Sequence, residues 1–189
     1  MTFKFKIIVA ILIVFTLSAS AFNYYNSHYS TKAILKNVSS SKGYTLKSSA
    51  VDIEFFVKPE WIPFDSTKPK DINIKVCNQN ETDIILTQVW NRGNDIYFSF
   101  NTRYKLNYKE GQFLYSGLFL LNDSLTSNPN SSSLSLTTLN HEVIPIGQTG
   151  FGSDSSFSFG IEPNDYSKIN DGFNVKYSGM YLYNYSLKK

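Results

Sequence analysis

The chain has 189 residues, of which 42% are hydrophobic and 16% aromatic, with 18 basic and 15 acidic side chains and a formal net charge of +3. That is one domain's worth of chain with enough apolar residue for a core, and its single cysteine, Cys77, excludes both an internal disulfide and lipid attachment at an N-terminal cysteine. The basic residues are spread along the sequence rather than clustered on one predicted face, so no nucleic acid is expected as a partner and anionic-lipid binding gains no particular support.

Residues 1–21 have the three parts of a secretory signal. Lys4 and Lys6 precede the unbroken apolar run Ile7 to Phe15, which fades through Leu17 and Ser18 into the small residues Ala19-Ser20-Ala21. As a helix the stretch Ile7 to Leu17 would span roughly 17 Å, short of the ~30 Å hydrocarbon core, which favours a cleaved signal. Keeping Ser18 to Phe22 in the segment gives the alternative, an uncleaved membrane anchor with the lysines on the cytoplasmic side. Either way the remainder is expected outside the cytoplasm, secreted or periplasmic, with a membrane contact only through the N-terminal segment if it stays. Residues 22–50 are polar and serine-rich and read as a spacer.

From residue 51 to 189 the pattern becomes that of a β-sandwich domain. Short runs rich in β-branched and aromatic residues alternate with period two and are separated by Gly, Asn, Asp and Pro clusters. Strands are predicted near Asp52–Lys58, Asp71–Cys77, Ile84–Trp90, Asp95–Asn101, Arg103–Lys109, Phe113–Leu121, Leu134–Thr138, Ser156–Glu162 and Phe173–Leu187, the last broken near Ser178-Gly179. Asn91-Arg92-Gly93-Asn94 and Glu110-Gly111 are the expected turns, and Asn122 to Ser133 is too rich in Asn and Ser for an element. Sustained helical periodicity is missing, so the expected fold is all-β, an antiparallel two-sheet sandwich.

Within it, Asp165-Tyr166, Ile169, Gly172-Phe173, Val175 and Tyr177 follow the spacing Asp-Tyr-x-x-Ile-x-x-Gly-aromatic-x-Val-x-Tyr. This segment resembles the late strands of extracytoplasmic immunoglobulin-like domains, where such a corner carries the chain from one sheet to the other. The resemblance implies a fold and no function.

Parts for chemistry are few. His28 falls in the spacer and His141 in a turn, and two distant histidines with one cysteine give no zinc spacing. Alternation puts Cys77 with Asn73 and Lys75, away from Ile72, Ile74 and Val76, and a packed, inert thiol is expected. Asp52 and Glu54 share a strand face and read as solvated. Asp154, Asp165 and Asp171 lack the order of a calcium loop, and Gly147, Gly150 and Gly152 lack the following helix of a phosphate loop. Neither cofactor nor metal is expected. Tyr181, Tyr183 and Tyr185 lie on one face of the last strand, opposite Met180 and Leu182, and are expected as an exposed row of rings. The functional expectation is an exported, non-catalytic binding module for a protein partner. The alternatives are a carbohydrate-binding module holding a surface glycan on those tyrosines, or a hydrolytic enzyme.

Overall fold

The computed structural model describes residues 3–40, 42–65, 67–119, 125–127, 134–152 and 155–189. Helix α1 runs from Phe3 to His28, uninterrupted because the segment holds neither glycine nor proline. Its residues Ile7–His28 are long and apolar enough to cross a membrane, about 33 Å at about 1.5 Å per residue. The helix thus continues well past Leu17, and Ala19-Ser20-Ala21 lies inside it. Tyr29 and Ser30 separate it from α2, Thr31–Ser39. Ser30 is the cap of α2, its Oγ accepting the Ala33 amide at 3.2 Å.

Among the described residues twelve strands follow: β1 (Tyr44–Val57), β2 (Lys70–Gln79), β3 (Thr82–Asn91), β4 (Ile96–Tyr104), β5 (Glu110–Tyr115), β6 (Gly117–Phe119), β7 (Leu125–Ser127), β8 (Leu134–Thr137), β9 (Val143–Ile144), β10 (Thr149–Phe151), β11 (Phe157–Ile161) and β12 (Phe173–Leu187). They form two antiparallel five-stranded sheets and a small β6–β7 ribbon. In the first sheet β12 is central: β1 pairs along one side, while β5 and β8 share the other, with β9 beyond β8. The second sheet has the order β10-β11-β4-β3-β2.

The main core lies between the sheets, where the period-two apolar faces meet. Ile96, Phe98 and Phe100 of β4 and Phe157, Phe159 and Ile161 of β11 are all buried against Ile53, Phe55 and Val57 of β1 and Phe173, Val175 and Tyr177 of β12. Phe100 and Phe157 stack at 4.8 Å, and Phe157 lies 4.7 Å from Tyr177. Between Pro163 and Ile169 a 3-10 turn leads from β11 in the second sheet to β12 in the first, closing at Gly172, whose φ of 82° suits a residue without Cβ.

Several local expectations need correction. Residues 22–50 do not form a polar spacer: they hold the end of α1, all of α2 and the start of β1. Ile34 and Val38, one turn apart on α2, are 1% and 0% exposed and nucleate a second core. Arg103–Lys109 is not a separate strand, because β4 continues through Arg103 to Tyr104 and a loop follows. Glu110-Gly111 is the start of β5 instead of a turn, and the actual β2–β3 turn is Asn80-Glu81, both at positive φ. Within Asn122 to Ser133, Leu125–Ser127 forms β7, while 122–124 and 128–133 lie outside the described residues.

If α2 is part of the folded domain, Ile34→Ala should destabilise the detergent-solubilised full chain by about 2–5 kcal/mol. Urea unfolding followed by aromatic fluorescence checks this. A change near zero would return the segment to the status of a tether.

Candidate functional site

The sidedness expected for the last strand is present, but the exposure is not. Met180 is fully buried in the main core and Leu182 packs against it. Tyr181, Tyr183 and Tyr185 point to the opposite face, where Tyr183 and Tyr185 are only 2% and 3% exposed and Tyr181 is half-buried. The physical reason is the second core: Ile34 and Val38 of α2, Tyr44 of β1 and Phe113 and Tyr115 of β5 cover the rings. Phe113 stacks on Tyr183 at 5.4 Å, and Tyr44 meets Tyr185 edge-on at 5.8 Å. An exposed tyrosine row is therefore absent.

Tyr185 has the tightest polar setting of the three. Its hydroxyl donates to the Asn107 carbonyl at 2.7 Å and accepts the Asn107 amide at 2.9 Å, pinning the β4–β5 loop to β12. Burial, with the Glu81 carboxylate and Tyr44 nearby, pushes its pKa up to about 12. A cleft of about 550 Å³ opens beside it, lined by Lys47, Glu81, Asn107, Glu110, Gln112 and Asn184 among others. Glu81 is half-buried there, its carboxylate accepting the Gln112 amide at 3.4 Å.

Farther along the same outer face, beyond the cover of α2, lies a groove of about 490 Å³. Its floor is the half-buried Phe56, and its rim is formed by Glu54, Ser135, Thr137, His141 and Lys176. Register assembles it: Glu54 lies directly opposite Lys176 and Lys176 opposite Ser135. Lys176 Nζ reaches Glu54 at 3.0 Å and Asp52 at 2.9 Å. That contact and a Ser178 hydrogen bond hold the Asp52 carboxyl below the usual carboxylate range. Asp52 and Glu54 thus share one lysine on a solvated face. The groove offers an aromatic surface with charged and hydroxyl groups of both hydrogen-bonding senses. The sequence showed the Asp52–Glu54 alternation but not the lysine, which β12 contributes from more than a hundred residues away.

The remaining candidates do not converge. A bulge at Val76 brings both Val76 and Cys77 against the main core, reversing the face assigned to Cys77, and burial raises its thiol pKa. Asp165 pairs with Lys168 at 2.8 Å, and Asp154 lies outside the described residues. Gly150 sits within β10, and the next element among the described residues that carries more than a turn is the strand β11, not an α-helix. His28 stacks on Tyr24 at 4.3 Å at the end of α1. Among the described residues no group of three or more His, Cys, Asp or Glu is placed to hold a metal ion. Comparison of the chain with protein-family models, with curated proteins and with solved structures found no match.

The Tyr185 phenol keeps its proton in the fold from its ordinary value near 10 up to about 12. Its folded pKa is raised, so the associated stability is complete below pH 10 and declines as pH rises through 12. Ultraviolet titration should show a phenol that ionises near pH 12 and is absent in Tyr185→Phe. That variant, lacking two hydrogen bonds to Asn107, should lose about 1–3 kcal/mol.

Proposed function

We propose that this chain is an exported, non-catalytic β-sandwich held at a membrane surface by an uncleaved α1, and that it binds a protein partner on the bare outer face around Phe56. The observation that carries the anchor reading is the junction: only Tyr29 and Ser30 stand between an apolar helix of membrane-spanning length and α2, which is packed into the domain. The aromatic residues at the helix end fit an interfacial position. Phe22, Tyr24 and Tyr25 are exposed, and Tyr29 lies 4.6 Å from Tyr108 of the β4–β5 loop. Removal of residues 1–21 would leave a stub of α1 with those rings in water.

The partner reading is supported by the groove of Glu54, Phe56, His141 and Lys176, which the described residues leave uncovered while α2 covers the other half of that face. Carbohydrate binding loses its intended surface with the burial of Tyr183 and Tyr185. An immunoglobulin-like grouping is supported by the corner from β11 to β12 at Gly172. The Tyr166 hydroxyl, though, has no hydrogen-bond partner among the described residues.

Intact mass and carbonate extraction of the native protein should find Met1 retained in the membrane fraction; an N-terminus at Phe22 would sink the anchor. For the face, a photo-crosslinking residue at Ser135 should give one adduct of defined mass in native membranes, and the same residue at Asn101 on the second sheet should give none. Equal adducts at both positions, or none at either, would reject the groove.

A further inference from the structure

The lysines that are spread along the sequence are gathered by the fold. Lys32 and Lys36 lie one turn apart on the exposed side of α2, whose other side carries Ile34 and Val38. Lys42 precedes β1, and Lys188 and Lys189 end the chain; the Lys188 amide donates to the Gly43 carbonyl at 2.8 Å, so both segments meet. Lys109 joins them, because its carbonyl accepts the Leu187 amide at 2.8 Å and Tyr44 Oη donates to the neighbouring Tyr108 carbonyl at 2.7 Å. All six lysines are exposed. The acidic groups of this end are Glu110, beside Lys109, the half-buried Glu81, which lines the cleft beside Tyr185, and Asp83, which is paired with Lys75 and Lys105.

The opposite end is acidic. Glu60, Asp65, Asp71, Glu142, Glu162 and Asp171 are exposed around the start of β12, the end of β1 and the start of β2, with Asp95 and Asp165 less exposed, against the basic residues Lys58, Lys68, Lys70, Arg92 and Lys168. The domain is thus polarised along the strands, and α1 is attached at the basic end. Reading outward from the helix gives an apolar span, then aromatic rings at Tyr24, Tyr25, Tyr29 and Tyr108, then the lysines. That order follows the profile of a bilayer from hydrocarbon through the interface to phosphate.

We infer that the lysine-rich end, formed by α2, the β4–β5 loop and the C-terminus, binds the anionic headgroups of the membrane that α1 enters, standing the domain upright with its acidic end outward. The inference rests on the reading that α1 stays in the membrane. The helix delivers this end, and only this end, to the lipid. Each lysine within reach of an anionic surface favours the docked arrangement by about fivefold at physiological salt, and the attraction is screened as ionic strength rises.

The test uses the full chain in lipid nanodiscs, with Cys77→Ser and a fluorophore on Asn107→Cys, an exposed position between the tyrosine and lysine layers. Energy transfer to a dye on the lipid headgroup reports docking. Transfer should be greater in phosphatidylcholine discs containing phosphatidylglycerol than in phosphatidylcholine alone, and should fall with added sodium chloride. The combined variant Lys32→Gln, Lys36→Gln, Lys42→Gln and Lys188→Gln should lose the phosphatidylglycerol effect, whereas Lys58→Gln with Lys70→Gln should keep it.

Equal transfer in both lipids, or a lipid effect that survives the fourfold variant, overturns the inference. A displacement by soluble polyphosphate without any difference between the two lipids assigns the lysines to a free polyanion and likewise overturns it. Failure of the anchor itself is separable: if the native chain starts at Phe22, sedimentation of that processed form with the two lipids as vesicles decides headgroup binding without α1.

Discussion

The arrangement depends on one extra residue in β12. Val51 pairs with Met180 and Ile53 with Tyr177, so Ser178 and Gly179 together oppose Asp52. Before this bulge the odd-numbered residues Phe173, Val175 and Tyr177 face the sandwich core; after it Met180 and Leu182 do. The Tyr177 ring folds over Gly179, where a Cβ would collide with it. A change of phase in the middle of a central strand turns three tyrosines to the outer face, and two buried rings there require a cover. Helix α2 supplies it, and the domain acquires a third layer on one half of one sheet only. Among the described residues the other half is left uncovered as the groove over Phe56.

The strands were legible because their alternation is carried by large side chains. Ile96, Phe98 and Phe100, or Phe157, Phe159 and Ile161, leave little doubt which face is buried, and the break near Ser178-Gly179 coincides with the bulge. Helix α2 was not legible for a physical reason: nine residues with few apolar positions among Thr, Lys, Asn and Ser have too little intrinsic stability to announce a helix. It forms because Tyr183, Tyr185 and Phe113 are there to receive Ile34 and Val38. The beginning of β1 escaped notice similarly, since Lys47 to Ala50 are exposed and carry no large apolar side chain. The tyrosine row was read correctly as a face and wrongly as a surface, because much of its cover comes from Ile34 and Val38, far earlier in the chain.

Charge followed the same logic. A lysine count along the sequence carries no information about an end built from α2, a loop before β5 and the last two residues. Backbone hydrogen bonds from Leu187 to Lys109 and from Lys188 to Gly43 create the cluster by tying three remote segments together. The buried Asp83, by contrast, is neutralised within the fold by Asn78, Lys105 and Lys75, whose contacts outweigh the burial that would raise its pKa. Local pairing thus absorbs the charge of Asp83 and Lys105 at this end, where the exposed Lys32, Lys36, Lys42, Lys109, Lys188 and Lys189 still outnumber Glu81 and Glu110.

The short junction is what would make that excess effective. Two residues can span at most about 7 Å, which is within the Debye length of roughly 8 Å at physiological salt. Lysines tethered so close to a bilayer would experience its surface potential continuously, whereas on a free domain the same weak attraction would have to overcome the entropy of association. A longer, flexible spacer would have left the domain free to tumble beyond that range. With α1 in a membrane, packing α2 into the domain would convert the direction of that helix into a constraint on which end faces lipid, and would leave the groove over Phe56 on the flank of an upright domain, where a partner beside it would have access.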